Sequence, residues 1–226
     1  MTLVTIIPSP IGPVMSADRL AVVTDGFGGT FPDTCSKLFA VGACGLGGWG
    51  NRERIFALKD LIDDEDISAD TGIDEVATRI QTICRKQWQL WSPDPAKNVG
   101  FLLAGFRRKV EIKPTPKVLE LWSENNFDAY PKRSGIAWGG LSAHAVQLIV
   151  TLGSEFLQRL SVEHAKTLAT LLVLESNRYL RETGEGVELG IVTQSGFETV
   201  DATAAIAAAE DIVRHVRAVF VRHLSG

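Results

Sequence analysis

The chain has 226 residues, with Lys+Arg 23 against Asp+Glu 27 and a net charge of −4. That length builds one large domain or two small ones, and a single domain of this size buries roughly three-quarters of its unfolded surface without help from a disulfide or metal. Hydrophobic residues at 45% and charged residues at 22% exclude a disordered or fibrous chain, and the acidic balance leaves no surplus of cations for phosphates, so no nucleic-acid partner is expected.

Residues 2–7 (TLVTII) are β-branched and apolar and read as a buried strand. The turn PSPIGP leads into a returning hairpin strand at 14–19, and 20–24 is a third strand closed by the turn-rich DGFGGTFPD. Residues 37–43 form a fourth strand that runs into the glycine-dense GLGGWGN. Two helices follow, 51–62 and 73–90, in which Ile55, Leu58, Leu61 and Ile62, then Ile73, Val76, Ile80, Ile83, Cys84 and Gln87–Trp88, recur at helical spacing before SPDP stops the second.

The chain then returns to strands at 99–106, 109–112, 118–122 and 135–139. Helices are expected at 141–157 and 162–181, the second with Ser161 as its N-cap and Glu163 in its first turn. Strands at 186–193 and 198–201 form a last hairpin, and 204–224 is a closing helix. Blocks of strands alternating with pairs of helices are not the strict βαβα order of a doubly wound parallel sheet. They predict an α+β fold of two mainly antiparallel sheets, stacked, with helices on both outer faces. No low-complexity linker interrupts the pattern, so one domain spanning 1–226 is expected.

Cys35, Cys44 and Cys84 have no CxxC spacing and cannot all pair, which fits a reduced, cytoplasmic setting. No apolar run approaches the roughly 18 residues of a membrane helix. Residues 1–17 lack the Lys or Arg of a secretory leader and are broken by Pro8, Pro10, Gly12 and Pro13, so they are read as part of the fold, with no membrane partner.

GLGGWG at 45–50 matches the GxGxxG of a dinucleotide turn, after a strand and before a helix. No second parallel strand ending in an acid follows, and Trp49 would crowd the pyrophosphate, so a tight strand-to-helix connection is the better reading. The four histidines, His144, His164, His215 and His223, have no HxxxH or HExxH spacing, and neither metal nor cofactor is expected.

The start of the chain carries more chemistry. Once Met1 is removed, Thr2 presents a hydroxyl nucleophile and a free α-amine on one residue. An α-amine with a pKa of about 7.7–8.0 is partly unprotonated near neutrality and can take the hydroxyl proton. Such a site needs a cation to favour the alkoxide, an anion to hold the cation, and backbone N–H groups for the oxyanion.

A strand starting in Thr, SADR at the end of the hairpin return, SKLFAV, and LGG before a helix resemble the proteasome β-subunit superfamily of N-terminal-nucleophile (Ntn) hydrolases, which includes bacterial proteasome-like peptidases. FLLAGF, WGGLSAHA, LSVEHAKTLA and GEGVELGIVT continue the resemblance in family order along nearly the whole chain. It implies a four-layer αββα sandwich and a threonine-type peptidase. Thr2 would be the nucleophile and Asp18, sixteen residues on, the acid; Lys37, the one lysine among the first fifty residues, would be the cation, and Gly47 the oxyanion donor. It also implies a peptide or unfolded-protein substrate, a homo-oligomeric ring, and an ATP-driven unfoldase as a candidate partner.

On residue type alone Asp18 reads equally as a hairpin-end turn residue and Lys37 as an exposed strand residue. The chain also departs from the family pattern. Gly139 and Gly140 stand where a serine assists the terminal amine, with Ser142 two residues on, and NRYLRETGEG has no aspartate and only Thr183 as an aliphatic hydroxyl. The alternative is therefore a non-catalytic proteasome-like subunit with an assembly or binding role.

Overall fold

The structure is a computed structural model that describes residues 2–24, 30–107, 115–132, 137–140, 160–179 and 186–224. Its first strand, β1 (Leu3–Ile7), is buried at all five positions, which is why every residue in it is apolar or a small hydroxyl. Alternate side chains of a strand face opposite sides. Leu3 and Ile7 accordingly join one buried cluster and Val4 and Ile6 another.

The hairpin return is β2 (Val14–Asp18), paired with β1 from Val4–Ala17 to Ile7–Val14. The strands β3 (Leu20–Thr24) and β4 (Thr30–Thr34) make a separate two-stranded ribbon, and β5 (Leu38–Val41) and β6 (Cys44–Gly50) follow. Helices α1 (Arg52–Asp63) and α2 (Ile73–Leu90) lead to β7 (Val99–Phe106), β8 (Pro116–Trp122), the short β9 (Tyr130–Pro131) and β10 (Ala137–Gly140). Helix α3 (Val162–Tyr179), β11 (Val187–Thr193), β12 (Gly196–Val200) and α4 (Thr203–Leu224) complete the described chain.

One sheet has the order β10-β1-β2-β11-β12 and the other β5-β6-β7-β8-β9, and every described pairing is antiparallel. The mixed fold therefore has four described helices and three antiparallel sheets. Three buried clusters hold it together. Leu58, Ile62, Ile73, Val76 and Ile80 of α1 and α2 pack on Leu46, Phe101, Leu103, Leu119 and Leu121 of the second sheet. Ala165, Leu168, Ala169 and Leu172 of α3 pack on Leu3, Ile7, Val14, Leu189 and Ile191 of the first. The third joins the sheets themselves, with Val4, Ile6, Met15 and Ala17 against Leu38, Trp49, Leu102, Ala104 and Val118. No described helix is long and apolar enough to cross a membrane.

Helix α1 starts where its sequence says it should. The Asn51 side chain accepts the Arg54 N–H at 3.1 Å, satisfying one of the first-turn donors. The Ser161 hydroxyl likewise accepts the His164 N–H at 3.2 Å at the start of α3.

Two expectations need correction. The glycine-rich 44–50 is a strand, not a turn, so the GxGxxG pattern makes no phosphate loop. Side chains from across the sheets occupy the room its glycines leave: a Cβ at Gly47 would stand 2.5 Å from Val4 Cγ1. Residues 30–33, expected in a turn, belong instead to β4, which pairs along its whole length with β3. The strand expected at 109–112, the helix expected at 141–157 and the helix end beyond 179 lie outside the described residues.

Candidate functional site

The site forms where β1 begins. Gly140, paired with Leu3 at the end of β10, has φ +92°, and a Cβ there would sit 1.7 Å from the Thr2 carbonyl oxygen. Only glycine admits both that backbone angle and that contact, so β10 runs directly beside Thr2.

At the end of β2 the side chain of Asp18 is wholly buried. Its Oδ1 accepts the Leu3 N–H at 2.7 Å, and its Oδ2 accepts the Lys37 ammonium at 2.7 Å. One carboxylate thus links the cation to the amide next to Thr2. Lys37 lies just before β5, in the other sheet, and only 6% of it is exposed. Burial pushes the lysine below its ordinary range, because a charge is costly to desolvate, and the Asp18 carboxylate opposes that shift.

A second carboxylate grips the same lysine through its backbone. Glu188, in β11 of the first sheet, accepts the Lys37 N–H at 2.8 Å, the Leu38 N–H at 3.2 Å and the Ser36 hydroxyl. Glu188 was not among the residues singled out in the sequence. Its signal there was faint: one charge inside the apolar run VELGIV, 151 residues from Lys37.

Thr2 and Lys37 line one cavity of about 680 Å³, with Cys35, Trp49, Trp122 and Trp138 among its walls. Burial raises the Cys35 thiol above its ordinary value, with Lys37 and Arg52 pulling the other way. The Trp49 ring is seated between the sheets: Cβ atoms at Gly100 and Gly139 would each stand 2.2 Å from it.

Gly47 does not line the cavity; Gly48, Trp49 and Gly50 do. The Gly48 N–H donates toward β5, to the Lys37 carbonyl, and the Asn51 N–H donates toward β7, to the Asn98 carbonyl. Amides alternate sides along an antiparallel strand, so the Gly47 N–H faces β7 and the Gly50 N–H faces the β5 side. The structure thus brings Thr2, Asp18 and Lys37 to one place and turns the Gly47 amide away from it. Met1, Ser142 and Thr183 lie outside the described residues.

No protein-family model matches the sequence, and no curated protein does. Solved structures do match. The helical assembly of the Anbu complex from Pseudomonas aeruginosa superposes with a TM-score of 0.77 at 14% identity, over 97% of this chain and 96% of that one. Anbu from Yersinia bercovieri, described as an ancestral β-subunit, gives 0.75 at 14% identity, again over 97% and 96%. A mutant Anbu from a Hyphomicrobium species gives 0.74 at 16% identity, over 98% of this chain and 97% of that one. The fold is that of Anbu. Both chains are spanned almost end to end.

Proposed function

We propose that the chain is a proteasome-like subunit, a single domain in a four-layer αββα arrangement, and that Thr2, once freed of Met1, hydrolyses peptide bonds. The observation that carries this reading is the Asp18 carboxylate, shared between the Lys37 ammonium and the amide beside Thr2. The three buried clusters and the Anbu likeness support the architecture. A homo-oligomer is the expected state, since the Pseudomonas Anbu forms a helical assembly.

In the proposed reaction the α-amine of Thr2 takes the hydroxyl proton while the Lys37 ammonium stabilises the developing alkoxide. The oxygen bonds to the substrate carbonyl carbon, and the C–N bond then breaks. The proton passes to the departing amine, leaving an ester on Thr2. Water, deprotonated by the same amine, cleaves the ester and releases the acid. The oxyanion of each step needs an amide donor in the cavity. This reading selects Gly50, which lines the cavity with Thr2 on the β5 side, in place of Gly47.

The glycine pair Gly139–Gly140, standing where the family carries a serine, favours a second reading, a non-catalytic subunit of the same fold. Intact-mass measurement of the assembled protein separates the two, together with cleavage of peptide amides by wild type and Thr2→Ala. Loss of Met1, with cleavage that Thr2→Ala abolishes, supports the peptidase. A retained Met1 without cleavage supports the second reading, and cleavage surviving in Thr2→Ala moves the chemistry elsewhere.

A further inference from the structure

Arg54 is a buried cation that no carboxylate among the described residues pairs with. It reaches from α1 to the end of α2, where its guanidinium lies 4.7 Å from the centroid of the Trp88 ring and 5.0 Å from that of Trp91. There it donates to the Ser92 carbonyl at 2.9 Å and to the Lys97 carbonyl at 3.3 Å. A planar fork can do both at once, since its edge carries the donors while its faces meet the rings. Among the described residues these two hydrogen bonds tie 92–97 to the body. The Ala96 and Lys97 N–H groups bond to Asp94 inside the segment, and Pro93 and Pro95 have no N–H. The next carbonyl, that of Asn98, accepts the Asn51 N–H at 2.9 Å. It also lies against Gly50, where φ is +108° and a Cβ would stand 2.2 Å from its oxygen.

We infer that Arg54 is a positioning residue: through 92–97 and the Asn98 carbonyl it fixes the corner from which Gly50 offers its amide to the oxyanion. An apolar side chain would fill the space between two tryptophans without the cost of burying a charge. It could not hold two carbonyls, five residues apart, at a set separation. That separation matters because an oxyanion donor works only within about 2.7–3.1 Å of the oxygen, and a misplacement of about 1 Å costs on the order of a hundredfold in rate. The charge on that oxygen develops in the transition state, so a slackened corner lowers kcat and spares substrate binding. The inference rests on the reading above, in which Thr2 is the nucleophile and Gly50 the donor.

The test compares wild type with Arg54→Lys, which keeps the charge and gives up the fork, and with Trp91→Leu, which removes one of the two rings. In Arg54→Lys kcat is expected to fall about ten- to a hundredfold, with KM for a peptide amide within about threefold of wild type. Trp91→Leu should show a smaller fall of the same kind. A peptide aldehyde gives a second readout. The Thr2 oxygen bonds to its carbonyl carbon and the hydroxyl proton ends on the former carbonyl oxygen, which then occupies the donor. Affinity for the aldehyde should drop by the same factor as kcat, while affinity for the matching peptide alcohol, which forms no adduct, stays unchanged. Arg85→Ala, which cuts the bonds from α2 to the Asn126 carbonyl and Asp128, should lower stability and leave kcat alone. An unchanged kcat in Arg54→Lys, equal weakening of aldehyde and alcohol, or an equal kcat loss in Arg85→Ala overturns the inference. If Arg54→Lys does not fold, the same outcomes in Trp91→Leu decide. A wild type that neither cleaves nor captures the aldehyde overturns the Thr2 reading and this one with it; an active wild type with indifferent variants overturns this one alone.

Discussion

The Asp18 carboxylate lies 2.7 Å from the Lys37 ammonium, with both groups inside the protein and each carried by a different sheet. A buried ion pair is weak evidence of net stability, because desolvating two charges offsets their attraction, but removing one partner leaves the other stranded. Asp18→Asn is therefore expected to destabilise the fold by about 3–5 kcal/mol, read from urea denaturation, and to abolish cleavage. The double variant Asp18→Asn with Lys37→Met, which buries no charge, should be more stable than Asp18→Asn alone and equally inactive. If the double variant is the less stable, the pair holds the fold together by more than its charges.

Burial lowers the affinity of Lys37 for its proton, and Asp18 from β2, Glu188 from β11 and the neighbouring Cys35 each partly restore it. The alkaline limb of a kcat/KM profile should consequently fall below the ordinary lysine value of 10.5. Glu188→Gln keeps an acceptor for the Lys37 and Leu38 amides but removes a charge that favours the ammonium, so the limb should move further down. An unchanged limb with lowered stability would give Glu188 a structural part alone. For folding the sign is opposite. Between the folded pKa and 10.5 the unfolded chain binds more protons, so the contribution of Lys37 to stability rises with pH across that window.

Gly140→Ala should be the most damaging single-methyl change near the site. The new Cβ would meet the Thr2 carbonyl oxygen at 1.7 Å on a backbone with φ +92°, so β10 must part from β1. A loss of about 1–3 kcal/mol in thermal or urea denaturation is expected, with cleavage lost even where the protein still folds. Gly139→Ala acts on a different neighbour, the Trp49 ring, and should announce itself as a change in tryptophan emission.

Of the three cysteines, Cys44 and Cys84 are buried and Cys35 is partly exposed in the cavity wall. Iodoacetamide on the native protein should add one label, at Cys35, more slowly than on a free thiol because burial raises its pKa. Burial pushes the Cys84 thiol up to about 12, and it should react only after denaturation. Mass spectrometry counts the labels, and the adduct at Cys35 should block peptide binding to Thr2→Ala protein.

The regular elements were largely legible in the sequence because local chemistry specifies them. The apolar rhythm of 73–90 gives α2 to the residue, and the β-branched 3–7 gives β1. The strand at 44–50 was not legible, because glycine carries no β preference of its own. It is extended because Val4 and Met15 of the opposite sheet fill the space beside Gly45 and Gly47.

In the candidate site, Thr2, Asp18, Lys37 and Gly47 could be named from the residue types and the resemblance they carry. Their sequence positions alone left Asp18 and Lys37 readable as ordinary surface residues. Tertiary structure decided that the two meet in a buried place, that Glu188 holds the lysine backbone from 151 residues away, and that Gly50 lines the cavity while Gly47 does not. The division has a simple physical cause. Periodicity and side-chain chemistry act between neighbours a few residues apart and are written in the sequence itself. The partner of a buried charge and the direction of a strand amide depend on which strands lie side by side, and that is fixed only when the sheets pack.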